Sequence, residues 1–115
     1  MIYLASPYTH GLEAVRDFRY REIFKYAEFC MGKGETVFSP ILYGHQFAQK
    51  DPGYIQSERW IEFNQHMMTT SNHMRVYQLA GWELSRGVTA EIEFCHAHMI
   101  PVEYAQPLEF YRESI

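Results

Sequence analysis

The stretch that most constrains the fold runs from Met74 to Tyr104. Met74-Arg-Val-Tyr-Gln-Leu79 is an alternating apolar run of strand type, and Ile100-Pro-Val-Glu-Tyr104 is a second strand candidate. Between them lies a segment of helical length opened by Ser85 and Gly87. Strand, loop, helix, strand is a βαβ unit. In such units ligands bind beyond the carboxyl ends of the strands, where the loop meets the helix N-terminus. Ser85, Arg86 and Gly87 occupy that point. Unpaired N–H groups and the positive dipole end there suit an anion such as phosphate. Glu91 follows one turn into the helix, which brings its carboxylate close to whatever the loop holds. Taken alone, it also reads as an ordinary solvent-facing helical carboxylate.

The first part of the chain repeats the pattern. Met1-Ile-Tyr-Leu-Ala5 is a short strand, and a chain that starts in a buried strand suggests a central parallel one. It ends at the turn Ser6-Pro7-Tyr8. From His10 to Gly34 the residues Leu12, Val15, Phe18, Ile23, Phe24, Ala27, Cys30 and Met31 recur mostly at helical spacing. Gly32 and Gly34 suit the helix end, and the intervening arginines read as a solvated face. Glu35 to Ser39 is a second strand stopped by Pro40, which makes 1–39 a right-handed crossover candidate. The chain then reads as a loop through His45 and Gln46, followed by an irregular loop from Phe47 to Glu58 with an Asp51-Pro-Gly turn. Ser57 is a candidate cap for a helix over about 58–71, whose stripe of Trp60, Ile61, Phe63, Met67 and Met68 suits a core or a subunit contact. The tail Leu108–Ile115 is helical at most. The expected fold is α/β, a small doubly wound, Rossmann-like or flavodoxin-like parallel sheet of four to five strands with flanking helices. A length of 115 residues predicts one domain, 1–115.

Composition narrows the function classes. A net charge of −4, with no basic run, argues against a general nucleic-acid binder. No apolar stretch approaches the roughly 20 residues that span a bilayer. Met1-Ile-Tyr-Leu-Ala lacks the charged start of a signal peptide, so a cytoplasmic protein is expected. Cys30 and Cys95 form no CxxC pair and read as free thiols in a reducing compartment. His96 and His98, two apart, point in different directions on a helix and match no zinc pattern.

Ser85-Arg-Gly87-Val88-Thr-Ala-Glu91 resembles the signature of the nucleoside 2-deoxyribosyltransferase superfamily, closest to its 2'-deoxynucleoside 5'-monophosphate N-glycosidase branch. The transferase branch usually has Asp where Ser85 stands and Thr where Val88 stands. The resemblance extends in order over most of the chain, through Tyr3-Leu-Ala-x-Pro-Tyr8, Ser39-Pro40 and Pro101-Val102. It implies Glu91 as nucleophile, a phosphate on the loop of Ser85, Gly87 and Val88, and substrate contacts from Tyr3, Ser6 and Tyr8. Tyr3 by itself is equally an ordinary strand aromatic. His45 or Gln46 is implied as a contact to the base. The resemblance further implies a small-molecule nucleotide or nucleoside as substrate, no cofactor, no metal, and a homo-oligomer with active sites shared between subunits.

Four positions depart from the family pattern. Glu93 replaces a Gly, Cys95 stands where Ala is usual, and Asn64 and Asn72 replace two Asp at the preserved spacing of eight. The first of those Asp residues serves the leaving base in the family. Asn64 can hydrogen-bond a base but cannot protonate it. Glu62, His66 and Glu93 are the candidate substitutes. Breaking a C1'–N bond needs a carboxylate to capture the oxocarbenium-like sugar and a donor for the departing base. Ser85 in place of Asp favours nucleotides, since Asp would repel a phosphate. Three functions therefore stand: an N-glycosidase, a base-exchanging deoxyribosyltransferase, and a nucleotide-binding protein that has lost catalysis.

Overall fold

The computed structural model describes residues 1–55 and 57–108. Four strands form one all-parallel sheet: β1 (Ile2–Ala5), β2 (Val37–Phe38), β3 (His73–Tyr77) and β4 (Val102–Ala105), in the order β2-β1-β3-β4. Among the described residues, four α-helices flank it: α1 (Glu13–Gly32), α2 (Pro40–Lys50), α3 (Ile61–Thr69) and α4 (Arg86–Ala97). This is the expected doubly wound α/β fold. The register pairs Tyr3 with Phe38 on one side and with Met74 on the other, and Met74 with Val102.

The strands split the core into two layers because successive side chains point to opposite faces. Leu4, Tyr77 and Ala105 pack with Ile23, Tyr26, Ala27 and Cys30 of α1. Tyr3, Ala5, Met74 and Val76 pack with Met68 of α3 and with Val88 and Cys95 of α4. Every residue of β1 is buried, as a central parallel strand requires. Cys30 and Cys95 are free and buried.

The ends of α1 follow from local chemistry. Gly34 adopts φ +85, its N–H donates to the Met31 carbonyl at 3.0 Å, and Glu35 N–H reaches the Cys30 carbonyl at 3.1 Å. This is a Schellman closure, in which a left-handed residue lets two carbonyls find donors. The apolar periodicity of α1 is only partly a core stripe. Ile23, Tyr26, Ala27 and Cys30 are buried, whereas Leu12, Phe18, Phe24 and Met31 are exposed. The buried four share one i, i+3, i+4, i+7 line, and the others fall off it.

The segment after β2 corrects the sequence reading. Residues 40–50 are a helix, not a loop. Pro40 stops the strand and also begins α2 at its first position, where a missing N–H costs nothing. Ser39 caps it by accepting from Leu42 N–H at 3.2 Å. Short 3₁₀ turns at Pro52–Ile55 and Ser57–Trp60 then lead into α3, which starts at Ile61 rather than near 58. The readings of the Ser57 side chain and of the tail beyond Leu108 lie outside the described residues. Among the described residues no helix is long and apolar enough to cross a membrane.

Candidate active site

The strand order reverses between β1 and β3, and past their carboxyl ends opens a cleft of about 760 Å³. Such a switch point is where ligands bind in open α/β sheets. Three helices each turn one stripe toward it. These are Pro40, Ile41, Gly44 and His45 of α2, Ile61, Asn64, Gln65 and Met68 of α3, and Gly87, Ala90, Glu91 and Phe94 of α4. Eight of the nine predicted site residues line this space: Ser6, Tyr8, His45, Asn64, Ser85, Gly87, Val88 and Glu91. The ninth, Tyr3, stands one layer behind the wall with no exposed surface.

Tyr3 reaches the site through Glu91. Its hydroxyl donates to Glu91 Oε2. Burial pushes the Glu91 carboxyl up to about 7, and the Tyr3 hydrogen bond pulls it down against that burial. The same burial and the neighbouring carboxylate push the Tyr3 phenol well above its usual range, so it remains a donor. Glu91 thus titrates near neutrality, where a carboxylate is both nucleophilic and capable of carrying a proton.

The N-terminus of α4 is built as its sequence suggests, with one difference. Ser85 is the N-cap, and its Oγ accepts from Val88 N–H at 3.2 Å. The Val88 N–H is therefore committed within the helix. Among the described residues, the N–H groups of Arg86 and Gly87 meet no acceptor and are the ones left for an anion.

Two buried oxygens facing the cleft lack partners among the described residues: Ser6 Oγ and Asn64 Oδ1. An orphan buried polar atom is costly unless something completes it. Both lie where a bound molecule would supply that partner. Asn72 has a different job. Its N–H donates to the Met1 carbonyl at 2.8 Å and its Oδ1 accepts from the Met1 amino group, outside the cleft lining. Glu62, His66 and Glu93 are exposed and absent from the lining, because each falls on the outward side of its helix. His10 and Glu58 do line the cleft.

His45 lies on α2, not on the loop that the sequence reading expects. It is 5% exposed, and its Nδ1 lies 2.7 Å from the Tyr8 hydroxyl. Burial holds its imidazole below the usual range. Nor are all the α1 arginines a solvated face. Arg19 lines the cleft, and its Nη1 donates to the Thr9 carbonyl at 3.2 Å. Its guanidinium packs so closely on Gly81 that a Cβ there would stand 2.9 Å from Nη2. Helical periodicity carries no signal for Arg19, because the loop after β1 folds back onto it. Trp60, whose Nε1 donates to the Tyr54 carbonyl at 3.0 Å, closes another part of the wall and was read as core or a subunit contact.

No curated protein shows a significant match to this chain. The cleft residues run from Ser6 to Phe94, all within residues 1–106, and it is over those residues that the chain matches, and so belongs to, the family described as Domain of unknown function (DUF1937).

Proposed function

We propose that the protein cleaves the N-glycosidic bond of a 2'-deoxynucleoside 5'-monophosphate, releasing the base and deoxyribose 5-phosphate. The observation that carries this reading is the Glu91 carboxylate, held by Tyr3, in the wall of the cleft one turn beyond the Ser85-capped helix end. Four residues of helix put roughly 6 Å between Gly87 and Glu91, the length of a sugar phosphate. A phosphate on the Arg86 and Gly87 N–H groups would then leave C1' beside Glu91. Arg19 and Arg86 add positive charge to the same cleft.

In this reading Glu91 attacks C1' as the carboxylate. The C1'–N bond breaks, and its electron pair leaves with the base. The base takes a proton from water or from a titratable group of the cleft, among which are His10 and Glu58. Asn64 orients the base by hydrogen bonding and transfers no proton. Water then hydrolyses the glycosyl ester and restores Glu91.

A second reading, a nucleotide-binding protein without turnover, is favoured by Asn64 itself, whose buried Oδ1 awaits a donor but offers no acid. One assay separates the two. The purified protein is incubated with the four deoxynucleoside 5'-monophosphates and their nucleosides, and released base is read by chromatography. We expect base from a monophosphate and none from its nucleoside, with the release lost in Glu91→Ala. Equal release from nucleosides removes the phosphate role of the α4 end. Incorporation of a labelled acceptor base makes the protein a deoxyribosyltransferase. Tight binding with no release makes the second reading the account of this site.

A further inference from the structure

The Tyr8–His45 pair has a third member that the proposed chemistry does not use. Asp17, on α1, places Oδ1 3.7 Å from His45 Nε2. On the other side of the ring, His45 Nδ1 lies 2.7 Å from the Tyr8 hydroxyl. Two tyrosine rings pack against the imidazole. Tyr20 stacks on it at 4.1 Å between centroids and 17° between planes, and Tyr8 meets it edge-on at 86°.

At 3.7 Å the Asp17 contact is electrostatic, too long for a hydrogen bond. It still selects a tautomer. An Nε2 lone pair facing a carboxylate is repelled, whereas an Nε2–H is attracted. Burial lowers the His45 imidazole below its usual range, which favours the neutral ring, and a neutral ring carries one N–H. With that N–H on Nε2, Nδ1 is a lone pair, and the Tyr8 O–H must donate to it. A phenol has a single proton. Once it is directed at His45, the Tyr8 oxygen offers the cleft lone pairs only. Arg16, also from α1, acts on the Tyr8 phenol by charge and hydrogen bonding. A guanidinium is a pure donor, so it competes for a lone pair and never for the proton.

We infer that Asp17 and His45 form a positioning pair that presents the Tyr8 oxygen to the cleft as a hydrogen-bond acceptor, so that the cleft selects ligands carrying an O–H or N–H at that point. The inference deepens the nucleotide reading and rests on it for the ligand alone. On a deoxynucleoside monophosphate the donor is either the 3'-hydroxyl, the one free O–H of the sugar, or an N–H of the base.

The test has two readouts. The first is the long-range ¹H–¹⁵N spectrum of histidine-labelled protein at neutral pH. His45 is expected to show the Nε2–H pattern, and Asp17→Ala, a good helix residue, is expected to move it toward a mixture while circular dichroism stays unchanged. An Nδ1–H pattern in the wild type overturns the inference. The second readout is binding of the four monophosphates and of their 3'-O-methyl and base-N-methyl derivatives. One derivative should bind wild-type protein about tenfold more weakly than its parent, the effect of one lost hydrogen bond. Which derivative it is names the donor. Asp17→Ala should narrow that ratio, and equal discrimination by both proteins overturns the inference. If no monophosphate binds, the nucleotide reading fails separately, and the tautomer pattern alone decides the role of Asp17 and His45.

Discussion

The Tyr3 hydroxyl donates to Glu91 Oε2, so a fully buried residue of the central strand governs the charge of the one carboxylate on the α4 wall of the cleft. The bond favours the ionised carboxylate against a burial that opposes it. Tyr3→Phe should therefore move the rising limb of the pH–rate profile for base release to higher pH by about one unit, with neutral-pH activity down about fivefold. Glu91→Gln should lose about 10³-fold or more. An unshifted profile in Tyr3→Phe would show that the phenol only fills space.

Glu91 also links stability to pH. Its carboxyl titrates at about 7 in the folded protein, against 4.5 for the ordinary group. Between those values the folded chain keeps a proton that the unfolded chain has lost, so this group's contribution falls as pH rises through the window. Glu91→Gln removes that penalty. The variant should gain on the wild type from about pH 5 to about pH 8, by about 1–3 kcal/mol given the partial exposure of the site. Urea unfolding at the two pH values measures it; a constant difference between the proteins would count against the raised carboxyl.

Arg75 presents the opposite sign. It holds Glu35 through two bonds of 2.7 and 2.9 Å, and Glu103 through one of 2.6 Å. The guanidinium holds Glu35 down to about 2. That stabilisation is present above the ordinary carboxylate value of 4.5 and lost as pH falls toward 2. Arg75→Met should cost about 1–2 kcal/mol near neutrality, since it leaves Glu35 with Lys33 alone at 3.8 Å and Glu103 with His73 alone at 2.8 Å. It should also flatten the acid limb of the stability curve. Chemical denaturation across the acid range is the measurement.

Ser85 has a structural role and a proposed ligand role, and one substitution separates them. Ser85→Asp keeps an N-cap of equal quality and adds favourable charge at the helix start. Thermal stability should hold, while binding of a deoxynucleoside monophosphate falls about tenfold or more through repulsion of its phosphate. Ser85→Ala should instead cost about 1 kcal/mol of stability. Undiminished monophosphate binding by Ser85→Asp would move the phosphate elsewhere in the cleft.

Gly81 adopts φ +92, and a Cβ would stand 2.9 Å from Arg19 Nη2. Gly81→Ala should cost about 1–2 kcal/mol in backbone strain and displace Arg19 from the cleft wall. Thermal unfolding reads the first effect. Weaker monophosphate binding, with nucleoside binding unchanged, reads the second.

How much of this could be read beforehand depends on how local each cause is. The βαβ unit over 74–104, the helix opening at Ser85 and the turn between Gly87 and Glu91 are set by residues within a few positions of one another, and they stand as read. Ser39-Pro40 was legible as a stop but not as a start, because the same dipeptide ends a strand and begins a helix. The burial of His45 followed from that missed helix, since only α2 turns it toward Tyr8 and Tyr20.

By itself, the order of residues determined the parallel sheet and the helix end that faces its switch point, because period and capping act over one or two turns. Only the tertiary structure decided which groups meet there. Tyr3 and Glu91 are 88 positions apart, and Tyr8 and His45 are 37 apart. Arg19 joined the cleft because the loop after β1 folded onto it, and Glu62, His66 and Glu93 left it because of the faces on which they fell. A single sequence records each of these side chains, but their encounter is a product of packing, which brings distant residues together without leaving a pattern in the chain.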